Sequence, residues 1–275
     1  MTGRTARGGL PGGRVGRAWA ALPLLAGLLA GVLAAGLLAG CASDAKREEI
    51  QSQVDYHYGL GMASLEDNNL QGALVEFRTA TDLDPDNLKA QFALGHVYFS
   101  MGDYAAARTA MERVLKTEPE NGEALNYLGN IAEQQGRLDE AVASFRKAID
   151  VPTYATPHFA YRNLARALLE LGRRDEAETA LKAAVRRVPE YYPARADLAK
   201  LYMDEDRWSA AVDEWQTLLD LVPAVQDARY YLAESYVGAG DAPKAREALK
   251  VFLAGAEKGN PLVPDAEDLL RKLGK

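Results

Sequence analysis

Three groups of residues in this chain have the types and spacing that chemistry uses. Asp82, Asp84 and Asp86 alternate like the first acids of a calcium loop. Such a loop next needs glycine at its sixth position and glutamate at its twelfth, and those positions hold Asn87 and Ala93. The acids read instead as caps for the helix that follows. Gly59 and Gly61 suggest a phosphate loop, but no strand pattern precedes them and Ser64 stands where the third glycine belongs. His57, His96 and His158 are too far apart in the chain to share a metal by local spacing. No serine, histidine and aspartate grouping can be placed in one pocket. The chain reads as a non-enzyme, with no metal, no cofactor and no small-molecule substrate.

The remaining reactive residue is Cys41, the single cysteine, so no disulfide can form within the chain. Arg4, Arg7, Arg14 and Arg17 precede it, and residues 18–40 are uncharged and almost wholly apolar. A positive start, an apolar run and small residues before a cut site make an export signal. The apolar run is also long enough to span a bilayer as a permanent helix. Leu38-Ala39-Gly40-Cys41 resembles a bacterial lipobox, which favours the other reading: a signal peptide over 1–40, and a diacylglycerol thioether and acyl chains such as palmitate on Cys41. Several acyl chains anchor stably where one does not. Resemblance to Gram-negative lipoproteins, with Ala42-Ser43 after the cysteine, implies the periplasmic face of the outer membrane. Residues 41–53 then form a lipidated tether, helical from about Lys46.

The body is acidic. The whole chain has net charge −7, and taking away the four N-terminal arginines leaves −11. That balance argues against nucleic acid as the partner.

The elements that carry these residues repeat. Residues 88–121 copy the plan of 54–87, and 122–157, 158–191, 192–225 and 226–259 continue it. Each unit has the apolar pattern of two amphipathic helices joined by a tight turn. Position 8 is Gly61, Gly95, Gly129, Ala165, Ala199 and Ala233, and position 20 is always alanine. Small residues there let paired helices approach, while large ones such as Leu60, Leu94, Phe77 and Trp215 fill the space around them. Position 15 is Asn68, Gly102, Gly136, Gly172, Asp206 and Gly240, the types that best tolerate a left-handed backbone. The pattern resembles the tetratricopeptide repeat. The resemblance implies an all-α, right-handed superhelical solenoid of six repeats. Residues 260–275 follow as a capping helix, with Leu269, Leu270 and Leu273 on its buried side.

In that family, positions 2, 5, 9 and 12 of each first helix face the concave groove. The resemblance therefore implies a protein-binding groove that includes Tyr58, Met62, Phe92, His96, Phe99, Asn126, Asn130, Arg162, Arg166 and Lys200. It is aromatic at its N-terminal end. In the middle Arg162 and Arg166, one helical turn apart, could hold a carboxylate beside the amides.

One seam interrupts the period. Val151-Pro152-Thr153-Tyr154-Ala155-Thr156-Pro157 adds two residues, and its prolines forbid a continuous helix. It reads either as a tolerated insertion or as a change of path or contact site. The stretch Tyr154 to Leu164, with the lipobox and the repeats, resembles the type IV pilus biogenesis and stability lipoproteins, the PilF/PilW/Tgl-like pilotins. That resemblance implies an outer-membrane scaffold that binds the secretin and promotes its localisation and assembly. The alternative is another periplasmic scaffold lipoprotein, serving polysaccharide export, outer-membrane protein assembly or cell-wall synthesis.

Overall fold

The computed structural model describes the backbone from Leu22 to Gly274 and the side chains from Asp44 to Gly274. The expected signal peptide over 1–40 and the lipidation of Cys41 fall outside the residues whose side chains are described. Every described element is a helix. Helix α1 (Leu22–Glu66) pairs with α2 (Leu70–Leu83), and α3 (Leu88–Ser100) with α4 (Tyr104–Thr117). Then come α5 (Gly122–Gln134) with α6 (Leu138–Asp150), and α7 (Pro157–Glu170) with α8 (Arg174–Arg187). The last pairs are α9 (Tyr192–Asp204) with α10 (Trp208–Leu221) and α11 (Asp227–Gly238) with α12 (Ala242–Gly255), followed by α13 (Val263–Leu273). Each helix packs mainly on its neighbours in sequence, and α5 also touches α7. That contact order makes the molecule an all-α solenoid. Among the described residues no helix is long and apolar enough to cross a membrane.

The turns follow from position 15. Gly136 has φ of +70° and Gly102 +79°, and the two non-glycine residues in the same place, Asn68 and Asp206, take +56° and +55°. Asparagine and aspartate enter this region more readily than other side chains, so the reversal survives without glycine there. Side-chain caps start several of the helices that follow. Asn69 accepts from the backbone N–H of Gly72, Asn87 from Ala90, Asp103 from Ala106 and Asn121 from Ala124, at 2.9–3.0 Å. Each such cap stabilises by about 1 kcal/mol. The capping role expected of Asp82, Asp84 and Asp86 thus falls to Asn87. Asp84 instead accepts from the N–H of Asp86 at 3.1 Å, closing a short turn.

Close approach of the paired helices explains the small residues. A β-carbon placed on Gly61 would stand 2.5 Å from the Phe77 ring, and one on Gly95 2.6 Å from Met111 Cε. The position-20 alanines, Ala73 through Ala245, are fully buried. Large side chains fill the space around them, with Phe77, Met111, Phe145 and Trp215 at 0–1% exposure.

One packing expectation needs correction. Leu60, placed in the core by its period, is 38% exposed. Its counterparts pack on the preceding repeat, and none covers it among the described residues. In α13, Leu269, Leu270 and Leu273 do lie on the packed side, half-buried around Tyr230, Leu249 and Phe252 beside the fully buried Ala266. The described part of the tether, expected to be helical from about Lys46, is helical from Asp44 and belongs to α1 itself, mostly exposed until Ile50 and Val54 pack against Ala80 and Ala90.

Candidate functional site: an aromatic groove with an amide floor

The first helices of repeats one to four place their side chains along a shared groove containing two adjoining cavities. The first, of about 570 Å³, is lined by Tyr58, Met62 and Leu65 from α1, by Lys89, Phe92 and His96 from α3, and by Glu118, Glu123 and Tyr127. The second, of about 510 Å³, is lined by Phe92, His96 and Phe99, by Glu123, Asn126, Tyr127 and Asn130 of α5, and by Tyr154, Thr156, Phe159 and Asn163. Phe92, His96, Glu123 and Tyr127 line both, so they stand where the cavities meet.

The hub of this wall is Tyr127. Its ring meets those of Phe92, His96 and Phe99 edge-to-face, with centroids 5.1, 5.9 and 6.0 Å apart. Edge-to-face contacts of this kind set the positive rim of one ring on the negative face of the next. Burial pushes the Tyr127 hydroxyl up to about 12, helped by the negative charge of Glu123, so it stays a neutral donor. Burial pushes His96 down from its usual value, so its ring stays neutral near pH 7. Both keep the wall uncharged.

A second aromatic group comes from the seam side. Phe159, His158 and Tyr191 lie with centroids 4.2–5.2 Å apart, and Phe159 is 42% exposed. Between the two groups lie amides. Asn163 donates from Nδ2 to Asn126 Oδ1 at 3.1 Å. The seam is part of this floor. Tyr154 is buried over Gly122, where a β-carbon would stand 2.5 Å from the ring, and Val151 and Ala160 pack beside it. Pro157 opens α7 as its first residue, a position that needs no N–H donor.

The structure brings Tyr58, Met62, Phe92, His96, Phe99, Asn126 and Asn130 into the two cavities. It places the other three differently. Arg162 donates from Nε to Asp197 at 2.6 Å, and Arg166 lies 3.1 Å from the buried Glu133 carboxylate. Burial works to lower the Arg162 guanidinium, and the bond to Asp197 more than offsets it. Burial raises the Glu133 carboxyl, and the nearby Arg166 opposes that rise. The two guanidiniums expected to hold a partner's carboxylate therefore already contact carboxylates of this chain, and neither lines either of these two cavities. Lys200 lines neither cavity as well, with Nζ 4.8 Å from the centre of the Tyr231 ring.

Sequence reasoning missed Tyr127, Asn163, Tyr154 and Glu118. Tyr127 and Asn163 occupy position 6, one residue from the positions used to trace the groove. Only the inserted pair at the seam marked Tyr154.

The comparisons agree with this architecture. Models described as tetratricopeptide repeats match residues 92–155 and 196–261, 61–102, and 168–222. The chain belongs to the tetratricopeptide repeat family. Such repeats mediate protein–protein interaction and are typically non-catalytic scaffolds. Human DnaJ homolog subfamily C member 3 is 32% identical over 100 residues, covering 36% of this chain. The match spans only 20% of that relative's length. Among solved structures, the array resembles PilW, a widely conserved type IV pilus biogenesis factor. The TM-score is 0.65 at 22% identity, covering 81% of this chain and 98% of that one. It also resembles Pseudomonas aeruginosa pilF, with a TM-score of 0.66 at 18% identity, covering 82% and 99%. Identities this low show a common fold.

Proposed function

We propose that this protein is a non-catalytic, lipid-anchored scaffold on the periplasmic face of the outer membrane, and that it binds the secretin of a type IV pilus system and promotes its localisation and assembly. The observation that carries the reading is the groove from Tyr58 to Asn163: two adjoining cavities with aromatic walls on a fold whose repeats bind proteins. Likeness to PilW and pilF over almost the whole of those chains supports the pilus context. The lipobox ending at Cys41 supports the address, with a covalent lipid as the one non-protein group. Anchoring then raises the local concentration of scaffold around its partner, so a modest groove affinity suffices.

The test places a photo-crosslinking residue at Phe99 in cells and identifies the crosslinked proteins. Secretin subunits should dominate, and Cys41→Ala should release the protein from the outer membrane and lower secretin multimers. Crosslinks confined to other envelope proteins, or normal outer-membrane fractionation of Cys41→Ala, would sink the reading.

A further inference from the structure

Charge is unevenly available along the groove. Arg162 and Arg166 are occupied by Asp197 and Glu133. The charged side chains that line the cavities are Lys89, Glu118 and Glu123. Both glutamates are exposed. Glu118 accepts a hydrogen bond from Asn121 at 2.8 Å. Two carboxylates against one ammonium leave an acidic excess, in a body that is itself acidic. The rings of Tyr58, Phe92 and Tyr127 line the same cavity as these glutamates. Aromatic faces beside carboxylates form a site for a lysine or arginine side chain, because ring quadrupole and charge both attract a cation.

The second cavity adds a different demand. Asn126 is only 7% exposed. Its carboxamide oxygen is taken by Asn163, whereas its Nδ2 donates to no group among the described residues. That nitrogen is not among the sealed, unpartnered atoms, so it opens on the cleft that Asn126 lines, where a ligand acceptor can take the place of water. A peptide carbonyl supplies one, and the apolar rings of Phe99 and Phe159 line the same cleft.

We propose that the groove takes an internal, extended segment of a partner protein, with a lysine or arginine at the Glu118 and Glu123 end, a backbone carbonyl on Asn126, and an apolar side chain in the cleft lined by Phe99 and Phe159. This rests on the groove being the binding face proposed above. An acidic segment or a free C-terminal carboxylate is disfavoured, since two carboxylates outnumber the one ammonium of the first cavity and Arg162 and Arg166 each already contact a carboxylate of this chain. The net charge of the body extends that preference to longer range at low salt.

The test uses the full-length protein in detergent and three fluorescein-labelled twelve-residue peptides. All share an alternating Leu/Ser frame, carrying two lysines, two glutamates or two further serines. The lysine peptide should bind about tenfold more tightly than the glutamate peptide at low salt, and the gap should narrow as salt rises. In the Glu118→Gln, Glu123→Gln double variant that preference should fall to about threefold or less, with the serine peptide bound as before. Equal or tighter binding of the glutamate peptide, or a lysine preference that survives in the double variant, overturns the proposal. If the glutamate peptide wins and Phe99→Ala with Phe159→Ala abolishes its binding, the groove stands and only its charge preference falls. If no peptide binds, both fall.

Discussion

Between Ala132 and Ala245 most buried side chains join one large cluster, with smaller groups around Tyr154 and around Tyr230 and Phe252, whereas from Val54 to Ile131 they fall into three small ones. The repeat plan is the same in both halves, so the difference lies in how the spare side chains are used. In the C-terminal half they join neighbouring repeats. Arg162 binds Asp197 at 2.6 Å, and Glu178 accepts from Arg207 at 2.7 Å and from Tyr202 at 3.0 Å. In the N-terminal half the corresponding faces carry rings and amides that line cavities instead. Both halves expose single apolar side chains, such as Leu221 and Val251 in the second, but only in the first do rings gather along two adjoining cavities. Exposed apolar surface of this kind marks interaction sites.

The largest test removes the centre of the C-terminal half. Trp215 is 1% exposed, and its indole N–H points at Met203 Sδ, 3.4 Å away. Trp215→Ala should cost about 3–5 kcal/mol in denaturant unfolding. Hydrogen exchange should show the loss spread over α7–α12 while α1–α4 keep their protection. A loss confined to α10 would break the comparison, because a contiguous core must fail as a unit.

A smaller effect is expected from the N-terminal half. Phe92 and Phe99 are half-buried, and both pack against the cluster that contains Met111 and Val114 as well as lining the cavities. Phe92→Ala with Phe99→Ala should therefore lower stability by about 2 kcal/mol and lower partner binding more than tenfold. Calorimetry and peptide anisotropy on the same sample separate the two. Unchanged binding would show that these rings serve the core alone.

The smallest test is a pH dependence confined to the C-terminal half. Hydrogen bonds from Arg207, then Lys182 and Tyr202, hold the Glu178 carboxyl down to about 2, from an ordinary 4.5. A depressed folded-state value means this stabilisation is complete above the unfolded value and is lost as pH falls from 4.5 toward 2. The Arg207 partner is 42% exposed, so solvent screening keeps the contribution below about 1 kcal/mol. Glu178→Gln should flatten that part of the acid-unfolding curve. An unchanged curve would show that the network joins the repeats in geometry and contributes no energy.

How much of this was legible in sequence follows from which forces are local. Turn chemistry is local, and position 15 announces itself through Gly, Asn and Asp. Helix approach is nearly so, because small residues recur at fixed period, and the solenoid follows from both. Groove chemistry is less so. Arg162 and Arg166 sit at groove positions, yet their partners Asp197 and Glu133 belong to adjacent repeats, and no rule of spacing shows which cation will be satisfied at home. Tyr127 was hidden by a one-residue offset, since a long ring reaches a face that its backbone position does not strictly occupy. Leu60 was misplaced because a period cannot show that, among the described residues, no earlier repeat packs on that side.

The unbroken helix from Asp44 into the first repeat has a mechanical consequence. Between Asp44 and Tyr58 there are 14 residue steps, which at helical rise is about 21 Å of rod with no loop in it. A rod of that kind transmits torque as well as tension. Whatever fixes the orientation of residue 44 also aims the aromatic groove, and a glycine-serine break placed near Gln51 would turn an aimed instrument into a tethered one.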